Sequence, residues 1–124
     1  MVVVDTCALI ELCSPEPSFS ASSIAAMEKE SHVLSVSFAE IALKLKLKKL
    51  ILDITAEEIL RNLEKIPAVK LISIGCQEWF DAIHLAWDNK DPADRLITAY
   101  ARRMNSPIVT TDKAIKKYWK QVMW

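Results

Sequence analysis

The sequence predicts a three-layer α/β/α domain around a mainly parallel sheet of four or five strands. Two observations carry this prediction: short apolar runs alternate with longer segments of helical period, and most of those segments open on a residue type that caps helices. Strands that alternate with helices form right-handed βα units and therefore lie parallel to one another. The 124 residues contain no linker and no repeat, so a single domain spanning residues 1–124 is expected.

Four apolar runs are the predicted strands. Val2–Val4 consists of β-branched residues only, which is typical of a strand buried on both faces. The other three runs are residues 33–36, 71–74 and 107–110, and the run at 71–74 ends at Gly75.

Three predicted helices start at an aspartate. Asp5 and Asp112 each follow a predicted strand, and Asp91 precedes a proline at the first helical position of a segment that ends near Met104. A carboxylate before the first helical residue accepts hydrogen bonds from the free N–H groups of the first turn.

Other helix starts come from shorter patterns. Residues 37–40 and 55–58 match the S/T-x-x-E capping box. A further helix is expected to begin at residue 22 or 23, and aromatic and apolar residues at helical spacing predict a helix over residues 79–89.

Glycine and cysteine usage excludes several kinds of site. Gly75 is the only glycine, so the glycine-rich loops that hold nucleotide phosphates are absent. The three cysteines include no C-x-x-C pair, which indicates thiols in a reducing compartment rather than a disulfide framework or a zinc site. With no signal-peptide pattern and no apolar stretch long enough to cross a membrane, a cytoplasmic protein without a membrane partner is expected.

The formal net charge of zero hides an uneven distribution. Residues 1–43 carry one basic and six acidic residues, whereas residues 44–124 carry 15 basic and 10 acidic residues. This asymmetry indicates an anionic partner for the second part of the chain.

Four carboxylates are predicted to meet at one edge of the sheet. Ligand sites of parallel sheets lie outside the carboxyl ends of the strands. Asp5 and Asp112 follow strands, and Glu40 and Asp94 lie in the first turns of helices that begin on the same edge. Each acid taken alone is better explained as a helix cap, but four together repel one another unless a cation lies among them. Oxygen ligands without histidine or cysteine favour Mg²⁺, with Mn²⁺ as the alternative.

Four segments, in this order along nearly the whole chain, resemble the PIN domain family and, within it, the VapC-type toxins of toxin–antitoxin pairs. They are residues 2–10 (VVVDTCALI), residues 34–41 followed by Lys44 (the pattern S-x-x-x-x-E-I-x-x-K), residues 91–97 (DPADRLI, the pattern D-P-x-D-R) and residues 108–112 (IVTTD, the pattern T-x-D). The resemblance implies a PIN-like fold.

The sequence departs from the family pattern at three places. Lys48-Lys49-Leu50 stands where G-K-L is frequent, so the end of that helix is expected to differ. Asn89 lies near the place of a frequent histidine, and Ala93 stands where phenylalanine is common. None of these changes removes a predicted metal ligand.

The resemblance implies a metal-dependent endoribonuclease that hydrolyses RNA phosphodiesters. Asp5, Glu40, Asp94 and Asp112 would hold the Mg²⁺, which activates a water for attack on phosphorus. Family members typically form homodimers and are inhibited by a small antitoxin protein, so both partners are expected here.

Four further residues are candidates for supporting roles. Thr6 and Thr110 are expected to orient the carboxylates, although a role in the local turns explains them equally well. Lys44 and Arg95 are the candidate contacts to the RNA phosphates. Lys44 also lies four residues after Glu40, at the spacing of a helical ion pair.

Three other functions compete with this interpretation. A phosphoacceptor receiver domain needs paired acids after its first strand, and a haloacid-dehalogenase-type phosphatase needs D-x-D, but Asp5 is followed by Thr6-Cys7. A PIN-like module that binds RNA or a partner without cleavage stays open, because intact acids argue against it without excluding it.

Overall fold

A parallel sheet flanked by helices on both faces forms the core of the computed structural model, which describes residues 1–124. The sheet has five strands in the order β3-β2-β1-β4-β5, all parallel. The strands are β1 (Val2–Val4), β2 (Ser31–Leu34), β3 (Val69–Ile72), β4 (Ile108–Val109) and β5 (Val122–Met123). The helices are α1 (Thr6–Leu12), α2 (Ala21–Lys29), α3 (Ser35–Lys46), α4 (Ala56–Lys65), α5 (Cys76–Ile83), α6 (Pro92–Met104) and α7 (Lys113–Tyr118).

The central strand β1 divides the core into two layers. Val2 and Val4 belong to one cluster of buried side chains and Val3 to the other, because successive side chains of a strand point to opposite faces. The first cluster includes side chains of α1 to α4, and the second includes side chains of α5 to α7. The predicted three-layer α/β/α class is therefore confirmed.

The order of the strands places the candidate site next to β1. The chain runs outward from β1 through β2 to β3, and then returns to form β4 on the other side of β1. A crevice opens beyond the carboxyl ends of the strands where the order reverses in this way. Asp5 follows β1 and Thr110 follows β4, so both residues lie at this crevice.

The capping box predicted at residues 37–40 is wrong. Helix α3 already begins at Ser35, directly after β2, and its N-cap Leu34 makes no side-chain capping bond. Ser37 is fully buried inside the helix, and its hydroxyl has no hydrogen-bond partner. Strand β2 also lies two residues earlier than predicted, because residues 31–34 pair with both β1 and β3.

Three other boundaries differ from the expected ones. Strand β3 pairs with β2 over Val69–Ile72 rather than residues 71–74. Helix α2 is capped by Ser20, whose hydroxyl accepts from the N–H of Ser23. Helix α5 ends at Ile83 instead of extending to residue 89, since carbonyl groups between residues 82 and 89 bond to a side chain of α6.

The turn directly after α3 contains a left-handed residue. Lys48 has φ of 57°, and its N–H bonds to the carbonyl of Leu45 while the N–H of Lys49 bonds to that of Lys44. Asn105 is the other non-glycine residue with positive φ, at 47°, and asparagine tolerates this conformation better than lysine does. None of the helices is both long and apolar enough to cross a membrane.

Candidate active site

Asp5 is held rigidly between β1 and α1. Its Oδ1 accepts a hydrogen bond from the N–H of Thr6 at 2.7 Å, which makes it the N-cap of α1 as predicted. Its Oδ2 accepts from the hydroxyl of Thr110 at 2.6 Å and from the thiol of Cys7 at 3.4 Å. Only 5% of the residue is exposed, so these donors replace most of the hydration of the carboxylate.

The Thr110 hydroxyl connects two of the predicted site residues. While it donates to Asp5, it accepts from the N–H of Asp112 at 3.0 Å. Asp112 is the N-cap of α7, where its Oδ1 accepts from the N–H of Ile115 at 2.9 Å. The two aspartates at the ends of neighbouring strands are thus fixed relative to each other through one buried side chain.

Glu40 lies on α3 and is fixed by a residue of α1. Its Oε1 accepts from the hydroxyl of Thr6 at 2.9 Å. The same Thr6 donates its backbone N–H to Asp5, so it contacts two of the four carboxylates.

Asp94 lies in the first turn of α6 and accepts a hydrogen bond from the side-chain amide of Asn89 at 3.0 Å. Burial raises the pKa of Asp94 to about 6; the Asn89 hydrogen bond opposes this shift, and the charges of Asp91, Asp112 and Asp5 add to it. The carboxylates therefore repel one another, as expected for acids brought together without a counter-charge.

All four carboxylates line one polar cavity of about 280 Å³ at the carboxyl ends of β1 and β4. None of them forms a salt bridge with a basic side chain of the protein. Lys44 also lines this cavity, whereas Arg95 does not. The complete lining is Asp5, Thr6, Cys7, Ile10, Glu40, Lys44, Asp91, Asp94, Thr111 and Asp112.

The donor set of this cavity fits a hard divalent cation in part. Carboxylate oxygens without a basic partner are the ligands that Mg²⁺ and Mn²⁺ prefer. However, no group of three or more His, Cys, Asp or Glu side chains is arranged to hold one ion directly. Mg²⁺ keeps several of its waters when it binds to proteins, so carboxylates that stand apart are compatible with contacts made through water.

Residues 2–120 match the family model described as PIN domain. The chain belongs to the PIN domain family. The resemblance to the PIN domain family seen in the sequence is thereby confirmed, and proteins of this family are generally nucleases. A comparison with curated protein sequences gives no significant match.

Several solved structures have the same fold, and one of them is a toxin–antitoxin complex. A chain of a toxin–antitoxin complex from Klebsiella pneumoniae superposes with a TM-score of 0.68 at 16% identity, covering 100% of this chain and 97% of that one. A chain of FitAcB from Neisseria gonorrhoeae gives 0.60 at 18% identity, with coverage of 100% and 97%. A chain of VapBC2 from Rickettsia felis, solved with a DNA fragment from its promoter, gives 0.66 at 16% identity, with coverage of 100% and 98%.

Arg95 of this PIN domain has a structural role in place of the expected RNA contact. Its guanidinium group donates five hydrogen bonds of 2.6 to 3.0 Å to backbone carbonyls. The acceptors lie in the segment between α5 and α6 and at the end of α5: Ala82, Ile83, Leu85, Trp87 and Asn89. Because a guanidinium group has five N–H bonds, none is left for a phosphate.

Sequence reasoning missed two polar residues of the site. Asn89 supplies the hydrogen bond to Asp94, and the only sequence signal was its position near the place of a frequent histidine. Cys7 lies among Asp5, Thr110 and Thr111, and burial raises the pKa of its thiol. It therefore acts as a neutral donor to Asp5.

Replacing Thr110 with valine is expected to lower the free energy of unfolding by about 1–3 kcal/mol, because the partly buried N–H of Asp112 loses its acceptor and Asp5 Oδ2 keeps only the longer of its two hydrogen bonds, from Cys7. Metal affinity is expected to fall by about 10- to 100-fold. Thr98 provides a matched control, because its buried hydroxyl has no partner and valine there should be neutral or stabilising. Urea unfolding and Mn²⁺ titration calorimetry measure both effects; equal behaviour of the two variants would contradict the bridging role of Thr110.

Replacing Asp94 with asparagine is expected to stabilise the metal-free protein above pH 6 and not at acidic pH. The pKa of Asp94 rises from 3.8 in the unfolded reference to about 6 in the folded protein, so stability is lost as pH rises through this window. With solvent screening of this partly exposed side chain, a gain of about 1–2 kcal/mol is expected near pH 7.5. Thermal unfolding in EDTA at several pH values measures this gain, and Asp53→Asn at an exposed position is the control. A gain that does not depend on pH would contradict the raised pKa of Asp94.

Proposed function

We propose that this PIN domain is a metal-dependent endoribonuclease and the toxin of a toxin–antitoxin pair. The observation that carries the proposal is the polar cavity, where Asp5, Glu40, Asp94 and Asp112 converge without a basic partner. The family membership supports a nuclease, and the toxin–antitoxin complexes among proteins of the same fold support the toxin.

The four carboxylates would hold Mg²⁺, or Mn²⁺, with some contacts through water. When bound, such a cation supplies Lewis-acid chemistry: it makes a water more acidic and neutralises charge on the phosphate. The protein contributes rigidity, because Thr6 and Thr110 fix Asp5 and Glu40 through hydrogen bonds of 2.6 to 2.9 Å. Lys44, at the wall of the cavity, is the candidate contact for a phosphate of the RNA.

The proposal is tested by incubating the protein with a mixed pool of RNA and, separately, with single-stranded DNA of the same sequences. Cleavage of RNA with Mg²⁺ and its loss in EDTA are expected. Cleavage that persists in EDTA would overturn the metal-dependent mechanism, and cleavage of DNA alone would overturn the substrate.

A catalytically silent module that binds RNA or a protein is the second candidate. The observation that favours it is that no three of the acidic side chains are arranged to hold one ion directly. RNA binding without cleavage at any Mg²⁺ or Mn²⁺ concentration in the same assay would establish this alternative.

Two protein partners belong to the proposal. An apolar groove of about 920 Å³ between α1, α2, α4 and the sheet supports binding of an antitoxin segment. For the antitoxin, the expected finding is a small antitoxin-like reading frame next to the gene.

Exposed Trp79, Phe80 and Ile83 on α5 support a homodimer. For the homodimer, light scattering is expected to give the mass of a dimer, and a monomer at high concentration would overturn it.

A further inference from the structure

A cluster of lysines follows the candidate site along α3. Lys44, Lys46, Lys48 and Lys49 are all exposed, and no acidic residue occurs between Glu40 and Asp53. None of the four forms a salt bridge. This is a dense positive surface with no counter-charge of its own.

The first of these lysines, Lys44, lies beside the carboxylates. Residues four apart lie on the same side of a helix, so Glu40 and Lys44 are neighbours on α3, and both line the polar cavity. The helix closes just beyond Lys44: the N–H of Lys48 bonds to the carbonyl of Leu45 and the N–H of Lys49 bonds to that of Lys44, so Lys48 lies in the turn directly after α3. Lys44 at the cavity and Lys48 in the closing turn are therefore two exposed cations at the same end of α3.

The backbone at Lys48 argues for a function of its side chain. With φ of 57°, Lys48 adopts the left-handed conformation that glycine and asparagine take at lower cost. A cation near the end of a helix interacts favourably with the helix dipole, which explains Lys44 and Lys46 within the last turn. It does not explain a lysine that lies beyond the helix in an unfavourable conformation, where a smaller residue would close the turn more easily.

We propose that Lys48 binds an RNA phosphate next to the one bound by Lys44, so that the end of α3 guides the substrate strand into the acidic cavity. The inference rests on the proposed ribonuclease function. A cavity lined by carboxylates repels a polyanion, and cations beside it are needed to attract the strand.

The test measures binding of a fluorescein-labelled, mixed-sequence single-stranded RNA to Asp5→Asn protein in Mg²⁺, where the RNA stays intact. Added to this parent, Lys48→Asn is expected to lower affinity about 5-fold at low salt and to reduce the salt slope by about 0.7. Lys48→Arg should bind like the parent. Lys65→Asn, at the exposed end of α4, is the matched control and should also bind like the parent.

Stability separates binding from a merely structural role. Asparagine adopts the left-handed conformation at lower cost than lysine. The melting temperature of Lys48→Asn is therefore expected to stay the same or to rise by up to about 4 °C, while the affinity for RNA falls. If Lys48→Asn binds RNA as tightly as the parent while the wild-type protein cleaves RNA, the inference about Lys48 is overturned and the proposed ribonuclease function stands. No RNA binding by the parent and no cleavage by wild type would overturn both proposals.

Exposed Leu43 and Leu47, each next to a lysine of this cluster, favour an anionic membrane surface as the rival partner. Vesicles of phosphatidylserine and phosphatidylcholine are the probe. If Lys48→Asn weakens binding to these vesicles and leaves RNA affinity unchanged, the RNA contact is overturned.

Discussion

Replacing Asp5 with asparagine is expected to slow RNA cleavage by at least about 100-fold, since a metal ligand contributes several kcal/mol of charge stabilisation in the transition state. Asp5 is the carboxylate most firmly fixed, with donors from Thr6, Cys7 and Thr110. Asparagine has the same shape and still accepts the N–H of Thr6, so the fold is expected to remain intact.

Initial rates of cleavage of a defined RNA, with circular dichroism to verify folding, measure this effect. Asp53→Asn removes the same charge at an exposed position outside the site and should retain the wild-type rate. A folded Asp5→Asn protein that cleaves within about 3-fold of wild type would contradict the assigned role of Asp5.

The second large effect is expected on stability. Replacing Arg95 with methionine should lower the free energy of unfolding by about 3–5 kcal/mol, because five backbone carbonyls lose a charged donor at once. For a chain of this size, the melting temperature is expected to fall by roughly 10–15 °C. Lysine should not rescue the protein, because an ammonium group cannot reach five acceptors with its three N–H bonds.

Arg61 provides the control for the loss of an arginine. Its one ion pair, with Glu57 at 3.3 Å, is exposed on α4, so Arg61→Met is expected to change stability by less than about 0.5 kcal/mol. Calorimetry of the two variants gives the comparison, and a similar small shift in both would show that the carbonyls around Arg95 are satisfied by water.

The sequence is sufficient to predict the positions of acidic residues where the signals are local. Asp5, Asp91 and Asp112 were expected as helix caps directly after strands or before a proline, and each makes the predicted capping bond. Because parallel strands end at one edge, placing Asp5 and Asp112 there required only the strand pattern.

Features that depend on distant contacts were not predictable in the same way. The pattern of residues 37–40 is a good capping box, but pairing of β2 with two neighbours draws the helix start back to Ser35. The sequence around Asp94 does not indicate whether the side chain of Arg95 points to solvent or inward. The backbone carbonyls that accept its hydrogen bonds lie up to 13 residues away along the chain. The same contact ends α5 at Ile83, against its helical periodicity.

The link between Asp5 and Thr110 also determines when the site can form during protein synthesis. The two residues are 105 positions apart, and β4 is the last strand to be made among the neighbours of β1. A growing chain on the ribosome therefore carries Asp5 and Glu40 long before Thr110 and Asp112 emerge to complete the cavity. If the proposed nuclease function holds, the carboxylate site therefore stays incomplete until Thr110 and Asp112 have been added to the growing chain.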